Sequence, residues 1–314
     1  MKKSILLFYI TIIFSLITIS CTSQNELKKI TLFQDTPYKG ITAIEQNTSI
    51  PQSSDENKIY TFSFDRRLQP KDDLMMYIPL LNYLEKETGF YFSILIPERG
   101  ERVADLLAEG KVDFAAVGAL SYIQAKQKGV GEILVKGNND KGGYYKSVII
   151  TRKNSSLSSI KQLKGHSFAF GAETSTQGYL IPKIMLRKEG IQLSDFQKYV
   201  FLNSHAEVAN VILNGDYEAG AIQDTLAYSL AAKGLVKILA ESDDYPTSGI
   251  IVNSNILSED AKKVQEALIK FDPAGKNQEG LYNWSLSEMP LGFIEASEEE
   301  YAFIEQEYLN DTRR

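Results

Sequence analysis

The 314-residue chain contains one cysteine, two histidines and one tryptophan. A single cysteine excludes an intramolecular disulfide and a thiolate zinc cage. His166 and His205 are too few for a histidine-rich metal site, so neither metal nor cofactor is expected. No basic run interleaves with aromatics, and the formal charge is −6, so nucleic acid is not an expected partner. Collagen, coiled-coil and low-complexity patterns are absent too. What is present is ordinary globular composition: 43% hydrophobic, 24% charged and 11% aromatic residues. That mixture is too apolar for a disordered chain, and the length suits one large domain or two of usual size.

One charge-free stretch stands apart. Lys2 and Lys3 precede Ser4 to Ser20, 17 residues without a charge, which is marginal for crossing a bilayer but right for an export signal. The run ends at Thr18-Ile19-Ser20-Cys21, similar to a bacterial lipobox although Thr18 stands where leucine is usual. The expectation is a lipoprotein signal peptide over 1–20, lipid attachment at Cys21 and an extracytoplasmic protein anchored to the membrane. The alternative is a buried cysteine ending a transmembrane anchor. Residues 21–57, rich in Ser, Thr, Asn, Gln and Asp, suit a polar tether, with Ile30 to Phe33 and Tyr38 to Ile44 open as short strands.

Beyond the tether the pattern repeats. Tyr60–Asp65 and His166–Gly171 alternate as strands do, and each leads to a helix-like stretch containing Ile-Pro, Ile78-Pro79 and Ile181-Pro182. Both helices should stop at glycine, Gly89 and Gly190. Strands at Tyr91–Ile96 and Tyr199–Leu202 follow. At a constant offset of 105, Glu101–Gly110 then matches Ala206–Gly215, and Asp113 falls opposite Glu218. Alternating strands and helices predict an α/β fold of two βαβαβ lobes with parallel sheets. After Pro246, the strand Gly249–Val252 and helices at Asp260–Phe271 and Glu298–Leu309 should return to the first lobe. The expected division is 58–148 with 249–314 for lobe one and 153–245 for lobe two, joined by a hinge near Thr151 and Pro246.

Ligands in such folds bind at the strand-to-helix loops. Here these are Asp65–Gln69, Glu98–Gly100 and Gly118–Ser121 on one wall, with Glu173–Gln177, Asn203–His205 and Gln223–Thr225 on the other. Glu173-Thr174-Ser175-Thr176-Gln177-Gly178 offers hydroxyl donors beside uncapped N–H groups, an anion site, although Ser175 or Thr176 could equally be a plain N-cap. His205 heads a helix and Arg99 occupies the corresponding loop of lobe one; either could face a small anion or solvent. Tyr144 and Tyr145 fit a ligand wall and the core equally well. A Ser175–His205–Asp224 triad can be drawn, but no nucleophile-elbow pattern accompanies it.

Three segments in order carry a family likeness: Gly143 to Val148, Ser175-Thr176-Gln177-Gly178-Tyr179-Leu180-Ile181-Pro182, and Ser204-His205-Ala206-Glu207. Over Tyr60 to about Leu309 the chain resembles substrate-binding proteins of phosphate, phosphite and phosphonate ABC transporters, class II periplasmic binding proteins of venus-flytrap architecture. The resemblance implies a monomeric binding protein, not an enzyme, that delivers a phosphorus oxyanion to an ABC permease; a ligand sensor for a membrane histidine kinase is the alternative. It assigns oxyanion contacts to Ser175, Thr176, His205 and Tyr145. Gln177 departs from the family's third loop hydroxyl, and Arg99 stands where the phosphonate binders have tyrosine. Thr225 and Ser248 stand where amine-recognising members carry acids, with Asp224 one residue away. A smaller oxyanion such as phosphate or phosphite is therefore expected, with Arg99 as an added counter-charge and Gln177, Asp224 and Thr225 among the ligand-binding residues.

Overall fold

The computed structural model describes Ile30–Thr31 and residues 58–67, 70–98 and 100–312. Cys21, the signal segment and Arg99 lie outside these residues, as does the rest of the tether.

The first repeat runs as the sequence pattern predicts. After β1 (Ile30–Thr31), it comprises β2 (Ile59–Phe64), α1 (Pro70–Thr88), β3 (Tyr91–Ile94), α2 (Val103–Ala108) and β4 (Phe114–Val117). The chain continues through α3 (Ala119–Gln127) and β5 (Glu132–Gly137), then β6 (Tyr144–Tyr145) and β7 (Ser147–Arg152). The second repeat is β8 (Ser167–Phe170), a π-helical turn Thr176–Leu180 leading into α4 (Ile181–Lys188), β9 (Lys198–Phe201), α5 (His205–Asn214) and β10 (Ala219–Gln223). It continues in α6 (Asp224–Ala232) and β11 (Val236–Glu241). The return path is β12 (Tyr245–Pro246), β13 (Gly249–Val252), α7 (Ser258–Lys270), β14 (Phe293–Glu295) and α8 (Ala302–Thr312). Past the ends of α1 and α4, Gly89 and Gly190 take φ of 71° and 70°, a left-handed turn that side chains resist.

Two large sheets, ordered β1-β3-β2-β4-β13-β5-β14 and β11-β7-β10-β8-β9, and a two-stranded β12-β6 pair result. Within each repeat the three strands pair in parallel, as expected. The sheets as wholes are mixed, which corrects the all-parallel expectation. In the first, β13 lies between β4 and β5 and is antiparallel to both; in the second, β7 lies between β10 and β11 in the same way. Each inserted strand enters from the other half of the molecule, so it runs against its neighbours. Ile30–Thr31, in the expected tether, pairs antiparallel with β3 and closes one edge of the first sheet.

The chain passes from one sheet to the other at β6 and returns at β12, and these two segments pair with each other, Tyr145 opposite Tyr245. Thr151 lies within β7, hydrogen-bonded through its hydroxyl to the Glu218 carbonyl, so the outward connection precedes it. Ser147 and Val148, at the end of the segment expected for lobe one, accordingly pair within the second sheet.

Both faces of the central strands are covered, so β2, β4, β8 and β13 are buried along nearly their whole length. Alternation along β4 sends Phe114 and Ala116 to one core and Ala115 and Val117 to the other. Phe168 and Phe170 of β8 likewise enter one core while Ala169 faces another. One cluster bridges the two halves: Leu180, Ile181 and Ile184 pack with Tyr145, Tyr245 and Tyr301. Among the described residues, no helix is long and apolar enough to cross a membrane.

Candidate functional site

The loop after β8 is shaped by its own sequence. Gly171 and Gly178 approach so closely that a Cβ on either would sit 2.9 Å from the other's Cα, and Gly171 N–H donates to the Gly178 carbonyl. Ser175 caps the π-helical turn by accepting from Gly178 N–H at 2.9 Å. Its capping role is real, but the hydroxyl hydrogen is left to donate elsewhere. Thr176 and Gln177 are buried.

Thr176 is where the halves meet. Its Oγ1 accepts from Leu120 N–H, in the first turn of α3, at 2.8 Å, and its hydroxyl shares a hydrogen bond with the Tyr145 phenol. Tyr145 is 4% exposed, and burial drives its phenol well above the usual range, so it stays a neutral donor. Gln177 crosses to the connection between the sheets, its Nε2 donating to the Lys146 carbonyl at 2.7 Å, while its Oε1 is buried without a partner.

The opposite wall is charged. Asp65, just after β2, accepts from Gly118 N–H and the Ser121 hydroxyl, both at 2.9 Å. Burial raises its pKa, against those two donors and the nearby Arg67 guanidinium. Arg67 donates to Glu288 at 2.7 Å and to the Ser248 hydroxyl at 2.6 Å. Burial opposes ionisation of Glu288, but Arg67 and the N–H and hydroxyl of Ser248 prevail and hold its pKa below the usual value. Gly118 leaves the space between the walls open. From the point its Cβ would occupy, Thr176 Oγ1 is 3.2 Å away, Asp65 Oδ2 3.7 Å and Arg67 Nη2 3.9 Å.

His205 is the first residue of α5, positioned by its Ser204 cap, whose Oγ accepts from Glu207 N–H at 3.1 Å. The ring is half-buried, yet its Nδ1 is shielded from solvent and has no hydrogen-bond partner. Burial, reinforced by Arg67 and opposed by Glu288 and Asp224, lowers its pKa to about 4. Glu288, Arg67 and Asp224 are thus the charged groups acting on the ring.

The expected residues therefore divide. Tyr145, Thr176 and Gln177 are buried where the halves meet, Ser175 caps their loop, and His205 lies within the electrostatic reach of the Arg67–Glu288 pair. Asp224 is buried but committed to Lys141 Nζ at 2.5 Å and Lys146 N–H at 3.2 Å. It does not orient His205 Nδ1, so the Ser175–His205–Asp224 triad is not assembled. Thr225 is exposed and engages Asp224 through its backbone N–H, so its side chain stands outside this buried cluster. Tyr144 serves the connection instead: its hydroxyl donates to Glu300 at 2.6 Å beneath the Lys136 ammonium. Among the described residues, no group of three or more His, Cys, Asp or Glu side chains is arranged to hold a metal.

Arg67, Asp65 and Glu288 are the functional candidates that sequence reasoning did not single out. Asp65 and Arg67 fall in the first strand-to-helix loop, so a signal existed; two adjacent arginines, Arg66 and Arg67, hid which one turns inward. Arg66 is exposed. Glu288 reaches the cleft from near the far end of the chain and carries no local signal.

Comparison with known proteins matches this architecture. A curated phosphite-binding relative, described as a probable ABC transporter protein of Prochlorococcus marinus (strain MIT 9301), is 32% identical over 168 residues, 51% of this chain and 50% of its own. The phosphate-import protein of Mycolicibacterium smegmatis is 27% identical over 162 residues, 48% of this chain and 50% of that one. The chain spans about half the length of the curated relatives it matches. A solved structure of a Prochlorococcus marinus protein in complex with methylphosphonate superposes with a TM-score of 0.70, at 18% identity, covering 82% of this chain and 100% of that one. The sequence profile of the family described as ABC transporter, phosphonate, periplasmic substrate-binding protein matches residues 67–301. The chain belongs to that family.

Proposed function

We propose that this family member captures a small phosphorus oxyanion between its two lobes, outside the cytoplasm, and presents it to an ABC permease. The observation that carries the reading is the convergence of Thr176, Tyr145, Arg67 and His205 where the lobes meet. An oxyanion surrenders water on entry and must be repaid in hydrogen bonds; charge-assisted ones contribute about 1.5–3 kcal/mol each. The Ser175–Thr176 loop supplies hydroxyls and helix-start N–H groups, Tyr145 a neutral phenol, and Arg67 a guanidinium suited to planar oxygen pairs. Arg67 adds a counter-charge on the lobe-one wall.

Closure about the β6–β12 pair fits the way Thr176 reaches Leu120, because donors from both walls can then surround one anion. The uncharged run before Cys21 supports lipid attachment there, keeping the protein beside its permease. The family relatives named for phosphite and phosphate binding support the ligand class.

Calorimetry with phosphate, phosphite, methylphosphonate, 2-aminoethylphosphonate, sulfate and arsenate tests the reading. Phosphate or phosphite should bind most tightly, and Thr176→Ala and His205→Ala should each weaken binding by roughly ten- to a hundredfold. If Ser175→Ala, Thr176→Ala and His205→Ala all stay within about twofold for every phosphorus oxyanion, the site assignment fails.

A further inference from the structure

Among the described residues, the charges around the cleft do not balance for an incoming anion. Arg67 is shared by two carboxylates, Glu288 at 2.7 Å and the nearby Asp65. Lys141 is already matched to Asp224 at 2.5 Å, and the Lys146 ammonium points to Glu241 at 3.8 Å. An oxyanion placed against Thr176 would therefore add negative charge to a cluster with two carboxylates and one cation. Low-dielectric surroundings make such an excess costly.

Among the described residues, His205 is the side chain placed to correct this. Its charged neighbours are Glu288 in the segment before β14, Arg67 in the loop before α1, and Asp224 at the start of α6. On its own helix, Glu207 is turned back to accept from Asn203 N–H at 3.0 Å. Burial keeps the ring neutral, but an anion within hydrogen-bonding reach reverses that preference by adding a further negative neighbour. The buried, unpartnered Nδ1 is uncommitted and can carry a proton.

We propose that oxyanion capture is coupled to protonation of His205, the imidazolium supplying the positive charge that the Asp65–Arg67–Glu288 cluster lacks. This rests on the oxyanion reading above. The proton comes from solvent and is held on the ring while the ligand stays bound. Affinity then falls as pH rises, by about tenfold per pH unit wherever one full proton is taken up.

The chain has only two histidines, so nitrogen NMR of the histidine-labelled full-length protein resolves the question directly. His166→Gln removes the other ring and assigns the signals. At pH near 8 in phosphate-free buffer, saturating phosphite should convert His205 from one protonated ring nitrogen to two, leaving His166 unchanged. A ring that stays neutral in the complex overturns the proposal. Calorimetry in buffers of different ionisation enthalpy should count on the order of one proton taken up per phosphite. His205→Gln should abolish that uptake while retaining weaker binding; uptake that persists would place the proton on Asp65 or the ligand and overturn the assignment. If no phosphorus oxyanion binds wild-type protein at all, the oxyanion reading itself fails, and this inference with it.

Discussion

The two lobes are built from one plan and finish it differently. In both, two parallel strands flank a central first strand, and an antiparallel strand from the other half completes the arrangement. Even a carboxylate is repeated: Asp113 accepts from Thr61 N–H at 2.7 Å, and Glu218, at the matching position, accepts from Ser167 N–H at 3.0 Å. Each ties itself to the backbone of its lobe's first strand. The divergence begins in the loop after that strand. Lobe one leads through Asp65 and Arg67 into a 19-residue helix with Pro79 inside it. Lobe two leads through Ser175 and Thr176 into a π-helical turn, with Pro182 at the start of α4, where proline is tolerated. One wall of the cleft thus offers fixed charge and the other offers hydroxyls and backbone donors. Duplicated architecture sets where a site lies; the loops set its chemistry.

Four substitutions sharpen that contrast. The largest effect is expected from Gly178→Val, because the new side chain meets the Gly171 backbone, which cannot yield as a flexible side chain would. Overpacking of this kind costs about 1–3 kcal/mol, visible as a lowered denaturation midpoint, with oxyanion binding lost. Next is Arg67→Met, which keeps bulk on the charged wall but removes its cation. Phosphite affinity should fall about a hundredfold, and the residual binding should show weaker salt dependence. An equal weakening of the salt dependence by Arg67→Met and Thr176→Ala would erase the distinction between charged and hydroxyl walls.

Smaller effects test the repeated carboxylates. Glu218 is stabilised as its anion: burial opposes this, but Ser167 N–H and His166 outweigh it, so its folded pKa lies below its ordinary value. A depressed carboxyl pKa contributes stability above the unfolded value and loses it as pH falls through the folded one. Glu218→Gln should therefore lower stability modestly at neutral pH and reduce its decline in acid, as followed by denaturant titration. Thr225→Ala should be smallest, within about twofold in ligand affinity, because that side chain faces solvent.

The repeat was readable because it rests on local chemistry. Alternation marks strands, glycine closes helices, and order supplies topology, so both βαβαβ units and the returning strand Gly249–Val252 are legible without coordinates. Half of the candidate site was legible for the same reason: Ser175, Thr176 and His205 sit at helix starts, which a sequence displays. The antiparallel insertion of β7 and β13 was not legible. Which strand fills the gap between β4 and β5 depends on how the halves exchange segments, and alternation carries no direction.

By itself, then, the sequence determined the α/β class, the doubled unit and the hydroxyl-bearing loop, all properties of contiguous residues whose periods and caps act within a few turns. Tertiary structure alone decided the charged wall. Arg67 and Glu288 are 221 positions apart and meet at 2.7 Å only because β13 and the chain beyond it fold back onto the first sheet. Tertiary structure also chose Arg67 over Arg66 and buried Tyr145 rather than Tyr144 beside it. Adjacent identical residues look alike in sequence, and only the direction of each side chain in the folded backbone separates them.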